Sequence, residues 1–70
     1  MLSVLETGVM FGIASGLRDL ETAEQTGLSE AEVRKCVQEI MRKFELKDRV
    51  ELILLAHSKE SPLKRQRQAA

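Results

Sequence analysis

Gly27-Leu28-Ser29-Glu30-Ala31-Glu32-Val33-Arg34-Lys35-Cys36-Val37-Gln38-Glu39-Ile40-Met41-Arg42-Lys43-Phe44 holds a glycine stop, a capping serine and an amphipathic helix in one run. Gly27 offers a left-handed stop to whatever precedes it. Ser29 and Glu32 form a capping box, in which each side chain accepts the other residue's backbone N–H and so starts a helix. Beyond the cap, Val33, Val37, Ile40, Met41 and Phe44 recur at three- and four-residue steps, the spacing of one buried helical stripe. At about 100° per residue the opposite face holds Ala31, Lys35, Gln38 and Arg42, with Arg34 on one flank and Glu39 on the other. Contact with a partner is expected on that displayed face.

Upstream, Asp19 is expected to cap a short helix that turns Leu20 and Ala23 inward and ends at Thr26 before Gly27. A short helix, a glycine-containing turn and a longer amphipathic helix make a helix-turn-helix unit. Further back, Ser3 and Glu6 form another capping box, followed by a helix with Leu5, Val9, Met10, Ile13 and Ala14 on one side and Gly16 as its stop. Gly8 and Gly12 weaken that helix, each by somewhat under about 1 kcal/mol relative to alanine. Close helix packing accounts for such glycines; tolerance at an exposed turn is the other reading for Gly8.

Downstream, Phe44 closes the third helix, Glu45-Leu46-Lys47 connect, and Asp48 with Glu51 caps a fourth helix from Arg49 to about Ser58. Its Val50, Leu52, Ile53, Leu54, Leu55 and Ala56 exceed what one stripe of a small domain hides, which suggests a second copy as partner. The expected organisation is an all-α, four-helix domain over residues 1–58. A basic tail over 59–70, including Lys64, Arg65 and Arg67, is expected to bury nothing and to be disordered.

A single domain of 70 residues buries only about 60% of its unfolded-state surface. One cysteine permits no disulfide, and no His or second Cys stands near Cys36 at metal-ligand spacing, so neither metal nor cofactor is expected. Cys36 reads as a half-buried filler, and His57 as a cation suited to a helix C-terminus. No nucleophile and base fall at catalytic spacing, no glycine-rich phosphate loop is present, and no catalytic residue or enzyme activity is expected. The apolar first seventeen residues lack a preceding positive charge and fall short of the roughly 20 apolar residues of a span, so a cytoplasmic, non-membrane protein is expected. Net charge is zero but segregated: residues 1–33 carry six acidic and one basic side chain, and residues 34–70 ten basic and five acidic.

Leu2-Ser3, Glu6, Val9-Met10, Ile13-Ala14, Gly16-Leu17, Glu21, Ala23, Gly27-Leu28-Ser29, Val33-Arg34, Ile40, Lys43 and Leu46 together resemble, without a gap, a known domain. It is the C-terminal DNA-binding domain of the LuxR/FixJ/NarL class, also called GerE-like, and the likeness covers about residues 2–57. The resemblance implies a tetrahelical helix-turn-helix domain of a bacterial transcription regulator. In it the third helix enters the major groove of double-stranded DNA, the second braces it, and the fourth commonly forms a homodimer contact. Many members carry an upstream receiver or sensor domain, so the chain is expected to be either an excised output domain or a small member made of the helix-turn-helix alone.

Carried over by position, Arg34 and Lys35 fall where relatives contact DNA. Gln38 stands where many members have a further basic residue, and it can pair with adenine through two hydrogen bonds. Ser29, Ala31, Arg42 and Lys43 complete the expected DNA-contacting set, and Leu52, Ile53, Leu54 and Leu55 the expected dimer contact. Three positions depart from the pattern: Glu32 replaces a threonine, Leu20 stands where a polar residue often meets the DNA backbone, and Glu39 adds negative charge. The alternative is a protein-interaction module on the same scaffold, with weak or no DNA affinity, using the acidic first half and the leucine-rich fourth helix. A surface uniting Glu21, Glu24, Glu32 and Glu39 would favour it, and a continuous patch of Arg34, Lys35, Arg42 and Lys43 would favour DNA.

Overall fold

Every helix begins where a side chain or a turn can take up its first amides. In the computed structural model, which describes residues 2–58 and 61–63, the helices are α1 (Val4–Ala14), α2 (Asp19–Thr26), α3 (Glu30–Lys43) and α4 (Arg49–His57). There is no strand among the described residues. Ser3–Glu6 and Ser29–Glu32 are reciprocal capping boxes, as their spacing requires. Asp48 accepts the Glu51 amide at 2.9 Å, but the Glu51 carboxylate reaches past it to the amide of Lys47.

The start of α2 differs from expectation. Arg18, not Asp19, is the N-cap residue, and its amide donates to Glu21 at 2.9 Å. Asp19 is the first helical residue and pairs instead with Arg49 of α4, 2.8 Å away.

Helix α1 lies at the centre and packs on α2, α3 and α4, so its inward stripe organises the core. That core comprises Leu2, Val9, Met10, Ile13, Ala23, Val33, Val37, Ile40, Leu52 and Ala56, joined by Leu63. Burying the three apolar residues of α3 in it contributes about 1.5–3 kcal/mol each. Two expected inward positions, Leu5 and Leu20, are instead exposed. Leu5 is exposed while Glu6 points inward, because Leu2, Glu6, Val9 and Ile13 share the stripe; Leu20 is exposed while Thr22 and Ala23 point inward. Leu63 and Ser61 are also buried, so packing continues past Ser58 rather than stopping there. Lys64, Arg65 and Arg67 lie outside the described residues.

Gly16 and Gly27 hold φ of 87° and 77°, which only glycine adopts without strain. The turn after α3 uses Glu45 at φ 55°, closed by the Leu46 amide on the Met41 carbonyl at 2.8 Å. Gly12 serves packing: a Cβ there would meet Thr22 Oγ1 at 2.8 Å and Cγ2 at 2.9 Å. At Gly8 the nearest atom would be a Thr26 methyl at 3.4 Å, which is ordinary contact.

Gly12→Ala is therefore expected to destabilise by about 1–3 kcal/mol in urea unfolding, despite its gain in helix propensity. Thr22→Ala in the same chain should recover much of the loss. A Gly12→Ala protein as stable as the parent would contradict the close approach.

Candidate nucleic-acid interface

Burial of Val33, Val37 and Ile40 leaves α3 with one outward row. Ala31, Lys35, Gln38 and Arg42 are all exposed on it, and Arg34 is exposed beside them. Cys36, Glu39 and Met41 sit half-buried at the borders. Nearby Glu6, Glu39 and Glu32 and, above all, burial push the Cys36 thiol above its ordinary value, which suits an inert filler.

Ion pairing decides which cations this face can offer. Lys43 turns away from the row and donates to Glu6 Oε1 at 2.6 Å, where the carboxylate side chain is only 5% exposed. The Lys43 ammonium, and next the amide of Ser3, hold the Glu6 carboxyl below the usual carboxylate range. Arg49 is held by Asp19 at 2.8 Å, the carboxylate largely covered and the arginine partly exposed. Arg18 and Arg34 make only loose, exposed pairs, with Glu21 at 3.7 Å and Glu30 at 3.6 Å. Such pairs leave the guanidinium nearly free to move. Lys35, Arg42 and Lys47 have no ion pair among the described residues and are exposed.

The N-terminus of α3 is more acidic than a phosphate-binding end. Ser29 Oγ already accepts the Glu32 amide at 3.1 Å, and the Glu32 carboxylate accepts the Ser29 amide at 2.8 Å. That amide, followed by the Ser29 hydroxyl, keeps the Glu32 carboxyl below its ordinary value and so ionised. Ser29 thus works as a cap, and Glu30 adds a second charge in the same turn.

Glu32 and Glu39 line a different hollow from Glu21. Glu32 and Glu39 border a groove of about 240 Å³ with Leu5, Leu28, Lys35 and Cys36. Glu21 and Glu30 border a cleft of about 660 Å³ floored by Ile13, Leu17 and Ile53. The basic patch is not continuous, since Lys43 is drawn off to Glu6.

The residues expected to make a dimer contact are divided. Leu52 has no exposed surface and belongs to the core, while Ile53 and Leu55 are half-buried. Leu54 is 65% exposed, and Val50, one turn before it and counted among the excess apolar residues but not in the expected contact set, is 63% exposed. His57 does more than face its own helix end: its Nε2–H donates to the Ala14 carbonyl at 2.7 Å and satisfies the C-terminus of α1.

With this arrangement in view, the model of the GerE family, bacterial regulatory proteins of the luxR family, matches residues 1–56. The chain belongs to the luxR family of bacterial regulatory proteins. No curated protein and no solved structure matches it. Membership in the luxR family makes its general role DNA-binding transcription regulation, on a four-helix helix-turn-helix domain, in a family of regulators and not of enzymes. Among the described residues no helix is long and apolar enough to cross a membrane.

The Glu6–Lys43 pair has a pH signature. Because the folded-state pKa of Glu6 is depressed, the pair's contribution is present above the unfolded carboxylate pKa and is lost as pH falls through the folded value. Lys43→Met should cost about 1–2 kcal/mol near neutral pH, discounted for the partial exposure of the lysine. The deficit should shrink as pH falls below the usual carboxylate range and Glu6 becomes protonated in both proteins. A deficit unchanged with pH in urea unfolding would contradict this assignment.

Proposed function

We propose that this luxR-family chain regulates transcription by binding double-stranded DNA with α3 in the major groove, reading bases through the row Ala31, Lys35, Gln38 and Arg42. The observation that carries the reading is the contrast between the two sides of α3. One row is buried in the core, and the other is exposed, carries no carboxylate and holds two cations without ion pairs. Lys35 to Arg42 spans about 10 Å of helix, which fits a major groove about 12 Å wide. Gln38, between them, has the donor and acceptor to pair with adenine, and the lysine and arginine can meet guanine or phosphate. Arg34 joins from the flank by leaving its loose pair with Glu30.

The same reading makes the active form a homodimer through α4. Val50 and Leu54 lie on one helical face and are the two most exposed apolar side chains of α4. A two-fold axis there would present two α3 helices to symmetry-related half-sites.

Adding mixed-sequence duplex at low salt should shift the backbone amide signals of residues 29–42, with shifts that fade as salt rises. An absence of shifts even at low ionic strength would overturn the DNA reading. Sedimentation over a concentration series should show self-association that Leu54→Glu abolishes, and a strict monomer at high concentration would remove the dimer.

A further inference from the structure

Helix-turn-helix proteins ordinarily bring the N-terminal residues of the recognition helix to the base edges, helped by the positive end of the helix dipole. In this chain that end is the unfavourable one. Its cap amides are taken by Ser29 and Glu32, and Glu30 and Glu32 place two carboxylates in the first turn. The preceding helix adds Asp19, Glu21 and Glu24 and contributes no cation. Residues 18–34 hold five carboxylates and two guanidiniums, whereas residues 35–47 hold four cations and two carboxylates. The three exposed cations without an ion pair among the described residues, Lys35, Arg42 and Lys47, all fall in the second segment.

We infer that Lys47, in the turn beyond α3, supplies a phosphate contact at the C-terminal end of the outward row, while the carboxylates Glu30 and Glu32 leave the N-terminal end of the helix without one. This rests on the DNA reading above and specifies the polarity of the interface. Three features support the placement. Arg42 and Lys43 in the last turn offset the negative end of the helix dipole. The left-handed Glu45 and the partly buried Leu46 turn the chain sharply, so Lys47 emerges five residues beyond Arg42 at the same end of α3. Only the backbone amide of Lys47 is used in the start of α4, through Glu51, which leaves the exposed ammonium for an anion.

The test is fluorescence anisotropy of the full chain on a labelled mixed-sequence duplex over a salt series, comparing Lys47→Ala with Arg18→Ala. Both side chains are exposed, and circular dichroism confirms that each variant is folded. Lys47→Ala should weaken binding about threefold to tenfold at low salt and lower the salt slope by about one. Arg18→Ala, a cation lost from the acidic end, should leave both unchanged. Lys47→Ala binding as tightly as the parent, or Arg18→Ala causing the larger loss, overturns this polarity alone. Failure of the parent chain to bind at low salt overturns the DNA reading together with it.

Discussion

A carboxylate almost without solvent, that of Glu6, ties the central helix to the helix that faces DNA in the proposed reading. It accepts the Ser3 amide at 2.9 Å and so starts α1, and it accepts the Lys43 ammonium at 2.6 Å and so pins the last turn of α3. A buried carboxylate without partners would be strongly unfavourable, so both contacts must form when α1 and α3 dock. Much of the geometry follows. With Glu6 inward, α1 is rotated so that Val9, Met10 and Ile13 meet Val33, Val37 and Ile40, and Leu5 is left outside.

The same pair shapes the candidate interface by removing Lys43 from it. Asp19 acts similarly on Arg49 and ties the starts of α2 and α4. In a domain with equal numbers of acidic and basic residues, the internal ion pairs determine where positive charge remains at the surface. What remains is a short stripe on α3 and the turn beyond it, bordered at the N-terminal end by capping carboxylates. Glu30 and Glu32 stabilise the helix by that placement and also make its first turn a poor neighbour for phosphate.

The four helices were legible because their evidence is local. Ser3–Glu6 and Ser29–Glu32 are three residues apart, Gly16 and Gly27 mark stops, and the stripe of α3 repeats every three or four residues. The exposed row of α3 was legible for the same reason. Long-range contacts were not. Glu6 and Lys43 are 37 residues apart, and hydropathy alone assigns the inward position to Leu5 rather than to its acidic neighbour. Lys43 was therefore expected on DNA, and Arg49 gave no sign of its partner Asp19. Leu52 shows the same limit on α4: six apolar residues in seven positions do not reveal which one fills the core. The burial of Ser61 and Leu63 after a polar stretch had no signal beyond the single leucine.

In the proposed reading, the row opposite the buried stripe of α3 touches bases. Isotope-filtered nuclear Overhauser spectroscopy on the complex with duplex DNA tests it most directly. Contacts are expected from the Gln38 side-chain amide and from the methylenes of Lys35 and Arg42 to base and sugar protons. Contacts arising only from α2 or α4, with none from these three residues, would contradict it.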